Sequence, residues 1–240
     1  MHPAPAPPRR YATGKLLRRA RSGRAKVLAL AVVCPLLTGC NVFMIAAYLI
    51  AGPPSVEPDY EVATRASLTD EDVVVAVVCY APDDLKSDIG NETIDRDLTY
   101  YVAQKLTVNK IAVRTPSQVA AWTARNPDWT EASEIGEAMQ ATHVVYLDLH
   151  KFSLYEENSA DLYRGRAEVI VTVTALDEET GEWEDVYNRD VVSRYPLAIA
   201  RPSTSQGLEA FKKEYMNRLS TDVGRLFFPH WNGDDMGDAA

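Results

Sequence analysis

Residues 73–78, Val-Val-Val-Ala-Val-Val, form an unbroken apolar run in which five of six positions are β-branched. Such a run predicts a strand buried on both faces, hence a central strand with helices on either side of its sheet. Alternation puts Val73, Val75 and Val77 on one face and Val74, Ala76 and Val78 on the other. A polar loop, 81–90, comes next. Ile94, Leu98, Tyr101, Val102 and Leu106 then fall at helical spacing, with Asn91 as the cap. Ile111-Ala112-Val113 reads as a short second strand. Thr115-Pro116 is a cap followed by proline at the first helical position, opening a helix that carries Val119, Ala120 and Trp122 and stops near Asn126-Pro127. Thr130 with Ser133-Glu134 opens another short helix, with Ile135, Ala138 and Met139 inward.

The pattern then changes period. Residues 143–152 read as a long strand. In 166–176, Ala167, Val169, Val171, Val173 and Ala175 share one face, and Arg166, Glu168, Ile170, Thr172 and Thr174 the other. A turn at 177–181 leads to a third long strand, 183–194, giving an antiparallel meander. Leu208, Phe211, Tyr215, Leu219, Val223 and Leu226 mark a last amphipathic helix. The order β-α-β-α-α-β-β-β-α predicts an α/β layered domain with a mixed sheet.

The amino-terminal segment has another character. Arg9, Arg10, Lys15, Arg18, Arg19, Arg21, Arg24 and Lys26 precede an apolar run, 27–37, and residues 1–40 contain no acid. A basic start followed by an apolar stretch of this length is the pattern of an export signal, and positive flanks stay on the cytoplasmic side. The run ends in Leu37-Thr38-Gly39-Cys40: an aliphatic residue, a small residue, glycine and cysteine. This motif resembles the lipobox of bacterial lipoproteins. The resemblance implies signal-peptidase recognition through Leu37, Thr38 and Gly39, cleavage before Cys40, and acylation (palmitate among the chains) of Cys40. One acyl chain binds a bilayer only marginally, whereas the two or three that the resemblance implies hold firmly. A rival reading stays open. Residues 27–52 carry no charge, and one helix of them would be about 39 Å long, enough to span a bilayer. That reading makes the segment an uncleaved transmembrane anchor with Cys40 as an ordinary thiol. Both readings put residues 53–240 outside the cytoplasm, in the cell envelope, and the lipoprotein reading favours the periplasmic side of the outer membrane.

The expected organisation is a signal peptide over 1–39, a lipid-anchored apolar and proline-rich tether over 40–67, an α/β domain over 68–230 and a disordered acidic tail over 231–240. All eight basic residues named above precede Cys40, so residues 40–240 hold 17 Lys+Arg against 34 Asp+Glu, a net charge of −17. A surface so acidic repels phosphate backbones, so nucleic acid is not an expected partner.

Three cysteines, Cys34, Cys40 and Cys79, leave Cys79 without an intramolecular partner once the first two belong to the signal and the anchor. Neither a disulfide framework nor a cysteine-based zinc site is expected. His143 and His150 are seven apart, on opposite strand faces, and do not share a metal. Asp83, Asp84 and Asp88 lie in one loop after the first strand, where α/β sheets often place ligands. Ser203-Thr204-Ser205 has no positioned base, and no phosphate-cradling glycine loop is present. Trp122 and Trp129 flank a turn, which reads as satellite core rather than as a sugar platform. No catalytic residue, metal or cofactor is expected.

The element order, the segment Ala132-Ser133-Glu134-Ile135-Gly136-Glu137-Ala138-Met139 leading into His143-Val144-Val145-Tyr146-Leu147, and the turn Leu176-Asp177-Glu178-Glu179-Thr180-Gly181-Glu182 together resemble one superfamily over about residues 70–228. It includes the TolB amino-terminal domain, the curli secretion lipoprotein and the lipoprotein activators of penicillin-binding proteins. Ala141-Thr142-His143 stands where that superfamily commonly has Gly-Ala-Asp. The resemblance implies a non-catalytic adaptor or accessory in envelope assembly, held on a membrane by its lipid and binding another envelope protein or a second copy of itself. The competing class is a small-ligand or cation binder, or an enzyme, using the 83–88 loop.

Overall fold

Residues 75–80 pair in parallel with residues 143–148, from Val75↔His143 to Tyr80↔Asp148, and this pairing starts the sheet. The computed structural model describes residues 55–88, 90–177 and 179–231. Its elements in chain order are β1 (Ser55–Val56), α1 (Asp59–Thr64), β2 (Val75–Tyr80), α2 (Asp83–Lys86), α3 (Ile94–Val108), α4 (Pro116–Arg125) and α5 (Ala132–Met139). The meander β3 (His143–Tyr155), β4 (Leu162–Leu176) and β5 (Trp183–Tyr195) comes after them, then β6 (Arg201–Pro202), α6 (Leu208–Gly224) and β7 (His230–Trp231). The main sheet has the order β2-β3-β4-β5, with β6 pairing the start of β4. β2–β3 is parallel; β3–β4, β4–β5 and β4–β6 are antiparallel. This is the mixed-sheet α/β layered domain that the periodicity predicts.

The hydrophobic patterns translate directly into two cores. Val75, Val77 and Cys79 face a large cluster closed by α3 and α6, and Ala76 and Val78 face a smaller one closed by α4 and α5. The stripe Phe211, Tyr215, Leu219 and Val223 of α6 is fully buried, as is Ile94, Leu98, Val102 and Leu106 of α3. Aromatic rings knit α6 to the sheet: Tyr163 stacks on Phe211 with centroids 5.0 Å apart, and Phe152 lies 5.6 Å from Tyr215.

Several expectations need correction. β2 is buried on both faces but is not central; it ends the path of the main sheet. Among the described residues its outer side is bonded only to the 112–114 segment, where Val75 N–H donates to Ala112 O and Arg114 N–H to Val75 O, both at 2.8 Å. The expected second strand, 111–113, is thereby reduced to a single bridge, Val75↔Val113. Proline at 116 lacks the N–H that the next rung of a parallel ladder requires, and there the chain turns into α4. Helical coverage on both faces, rather than a central position, explains the double burial. Thr93, not Asn91, caps α3, while the buried Asn91 accepts the Ile94 N–H through its backbone carbonyl. The α5 cap is Glu131 rather than Thr130: the Glu134 carboxylate accepts the N–H groups of Thr130 and Glu131 at 2.9 and 3.1 Å. Ala138 points outward.

The tether boundary at 67 also moves. Residues 55–67 belong to the folded body. β1 pairs with β7, and Tyr60, 1% exposed, packs with Tyr187 and Phe227 at centroid distances of 5.4 and 5.8 Å. Asp59 beside it receives hydrogen bonds from Arg189 Nε at 2.8 Å, Arg189 Nη2 at 2.6 Å and Tyr187 Oη at 2.6 Å. The Arg189 guanidinium, and next the Tyr187 hydroxyl, hold the Asp59 carboxyl below its usual value of 3.8. A carboxyl whose folded pKa is depressed stabilises the fold above its unfolded pKa and loses that contribution as pH falls through the folded value. Asp59→Asn is therefore expected to cost about 1 kcal/mol at pH 7, screened because the pair is half-exposed. Urea unfolding should show that difference from wild type shrinking below about pH 4. A gap that stays constant down to pH 2 would refute the ion pair as its source.

Candidate functional site

The residues of the expected lipidation site, Leu37, Thr38, Gly39 and Cys40, lie outside the described residues, as do Cys34 and 232–240 of the expected acidic tail. No helix among the described residues is long and apolar enough to cross a membrane.

The remaining chemically suggestive residues are placed apart. Cys79 lies in β2 at 8% exposure, and burial pushes its thiol pKa up, which favours the inert protonated form. Asp83 and Asp84 sit in the four-residue helix α2, inside what the sequence reads as a loop. Asp83 Oδ1 is paired with Lys86 Nζ at 3.1 Å, and Asp88 lies beyond the helix on the exposed side. No group of three or more His, Cys, Asp or Glu that could hold a metal ion occurs among the described residues. His143, half-buried at the start of β3, has its Nδ1 3.0 Å from Thr142 Oγ1, and burial lowers its pKa. His150 is the extra residue of a bulge between Leu149 and Lys151, its Nε2 3.2 Å from Asp148 Oδ2. The Ser205 hydroxyl donates to Pro202 O at 2.6 Å, so that side chain serves a turn.

A second buried network lies under the sheet. Ser193 Oγ donates to Asp222 Oδ2 at 2.6 Å, and Arg218 Nε pairs with Asp222 Oδ1 at 3.0 Å. Burial raises the Asp222 pKa against these two opposing partners. The Ser193 hydroxyl thereby ties β5 to the Asp222 carboxylate of α6.

What the fold does expose is an edge. β5 is 13 residues long, twice the usual strand. Among the described residues it pairs with β4 alone in the sheet. Alternate main-chain N–H and C=O groups of an edge strand point away from its neighbour. Only Tyr187, Val191 and Ser193 of β5 are buried, against the exposed Glu184, Asp185, Arg189, Asp190 and Arg194. Val186 is an extra residue between the pairs Val173↔Tyr187 and Thr174↔Asp185, and Val192 is 76% exposed. A bulge and mixed charges are the devices that keep an edge from pairing indiscriminately. The signal was present in the sequence: Glu184-Asp185-Val186-Tyr187-Asn188-Arg189-Asp190 has too few apolar positions for an inner strand.

Beside this edge the helical cover of the second sheet face stops. Trp129, Tyr146 and Trp183, all half-buried against the smaller core, border a cleft there of about 460 Å³.

No protein-family model matches the chain, and no curated protein matches it in sequence. Solved structures overlay on part of the chain. A PelC dodecamer from Paraburkholderia phytofirmans is 14% identical over 73% of this chain and 98% of its own, with a TM-score of 0.37. Lipoprotein GNA1162 from Neisseria meningitidis is 12% identical over 62% and 99%, with a TM-score of 0.36. A minor lipoprotein from Acinetobacter baumannii is 11% identical over 64% and 91%, with a TM-score of 0.28. At these identities and scores no activity, partner or assembly passes from them to this chain.

Proposed function

We propose that this protein is a bacterial envelope lipoprotein, anchored through Cys40, whose α/β domain is a non-catalytic adaptor that binds another envelope protein along β5. The observation that carries the binding role is the edge itself: among the described residues β5 ends the sheet beyond β4, with charges that reject random pairing and can match one partner. The anchor rests on Leu37-Thr38-Gly39-Cys40 after a basic and then apolar start. The acidic surface of residues 40–240 fits a domain that stands off anionic headgroups rather than lying on them.

Two measurements test this. Intact mass of the membrane-extracted protein is expected to show a chain that begins at acylated Cys40, and Cys40→Ser is expected to block processing. A chain that retains Arg24 and an unmodified thiol overturns the anchor. For the adaptor role, a photo-crosslinking residue at Asp190 or Arg194 in intact cells is expected to trap one protein stoichiometrically, where the same residue at Lys110 does not. A chain that is functional in cells yet uncrosslinked from β5 overturns the edge as the binding surface.

A further inference from the structure

We propose that the cleft beside β5 is a binding site for a neutral saccharide, one or two rings of a glycan. Its volume, about 460 Å³, lies within the range of about 300–1,000 Å³ typical of small-ligand sites. The cleft is assembled from three distant parts of the chain: the 129–133 segment leading into α5, the second face of β3 and β4, and the start of β5.

The aromatic part is preorganised: Trp129 packs on the smaller core, as the sequence leads one to expect, and also borders the cleft. Trp129 and Tyr146 meet edge to face, with centroids 5.9 Å apart and planes at 80°, so their rings form a corner. Trp183 borders the cleft on the β5 side. Its benzo ring sits against Gly136 of α5, where a Cβ would lie 2.2 Å from the ring, so this position must be glycine for the tryptophan to keep its place. Aromatic faces receive the C–H faces of pyranose rings with little loss of side-chain entropy, because the rings are already fixed.

The polar part selects for hydroxyl groups. Thr174 Oγ1 donates to Asp185 Oδ1 at 2.6 Å, which orients the carboxylate and leaves its other oxygen able to accept a hydrogen bond. Thr172 Oγ1, on the floor, accepts from Asn188 Nδ2 at 2.9 Å and retains its own proton to donate. Glu131 supplies a second carboxylate at the rim. Burial holds the Tyr146 phenol at a pKa of about 12, so it stays a protonated donor at neutral pH. Among the described residues, no lysine or arginine borders the cleft. Phosphate, sulfate and carboxylate ligands would meet two acids and no cation, and a purely apolar ligand would leave these polar groups unpaired. Ring faces, fixed acceptors and hydroxyl donors without a positive charge fit a neutral sugar.

This site is independent of the adaptor reading, and its test reads ligand binding alone. The full-length protein, in a detergent without a sugar headgroup, would be titrated with cellobiose, maltose and N,N′-diacetylchitobiose. Tryptophan fluorescence and calorimetry would report binding. Saturable binding of at least one disaccharide in the millimolar range or tighter is expected. Asp185→Asn, at an exposed position, is expected to weaken it several-fold with thermal unfolding unchanged, and Trp129→Ala about tenfold in a domain that still unfolds cooperatively but melts lower, because Trp129 also packs on the smaller core. Choline and glucose 6-phosphate serve as cationic and anionic controls. Absence of saturable binding to all three disaccharides, unchanged affinity in folded Trp129→Ala and Asp185→Asn, or tighter binding of either control overturns the proposal.

Discussion

Val75→Asp is expected to leave no cooperatively folded domain. Val75 is 0% exposed, with its side chain in the large core under α3 and α6 and its backbone bonded to Ala112 and Arg114. An aspartate there places a carboxylate in the large apolar core. The cost is several kcal/mol, whether met by desolvation or by a proton taken up against the solution pH. Total domain stability is typically about 5–15 kcal/mol, so one such change consumes much of it. The opposite face gives the sharper test. Ala76 is also 0% exposed, in the smaller core with Val119, Ile135 and Val144. Ala76→Asp is therefore expected to be as damaging as Val75→Asp, although the two side chains point in opposite directions. Val74, which shares the Ala76 face by alternation, is only half-buried at the strand's start, and Val74→Asp should be clearly milder. Circular dichroism and urea unfolding of the three variants check this. A soluble Ala76→Asp variant with a wild-type transition would mean that the second face of β2 is open.

The sheet position of β2 shows where a sequence stops being informative. A β-branched run reports burial on two faces, and burial is what its composition responds to. Whether a further strand lies beside it depends on a distant segment, 111–116, and on the missing N–H of Pro116. The stripes of α3 and α6 and the alternation in β4 were legible because each is a local period set against one core. Asp59 was not: its partners, Tyr187 and Arg189, are about 130 residues away, and a proline-rich approach reads as a tether until Tyr60 is seen in the core. The two candidate surfaces differ in the same way. The polarity of β5 carries an edge signal within its own residues. The cleft needs Trp129, Tyr146 and Trp183 together: sheet register places Tyr146 and Trp183, and the segment before α5, packed on the sheet, brings Trp129 to them. The lipobox is the reverse case, a local chemical motif that is read from sequence alone.

Gly165→Val is the second substitution expected to have a large effect, and its cause is space. Gly165 lies in β4 directly against the ring of Tyr215; a Cβ built there would fall 2.2 Å from Cγ and 2.3 and 2.5 Å from the two Cδ atoms. No side chain can occupy that volume unless the ring or the strand moves. The ring is poorly placed to move. Tyr215 is 0% exposed, lies 5.6 Å from the Phe152 ring, and donates its hydroxyl to Ser193 O at 3.3 Å, while Phe211 and Leu219 hold α6 on either side. Overpacking of a filled core typically costs about 1–3 kcal/mol, and for Gly165→Ala that range is expected. Gly165→Val adds two further carbons in the same place and is expected to exceed it, separating α6 from the sheet. A double-mutant cycle isolates the contact. Tyr215→Ala alone should cost about 3–5 kcal/mol through the cavity it leaves. In the Tyr215→Ala background, however, Gly165→Ala should cost far less than it does in wild type, because the atom it collides with is gone. Strict additivity of the two changes in urea unfolding would place the Gly165 effect in the backbone instead of against Tyr215.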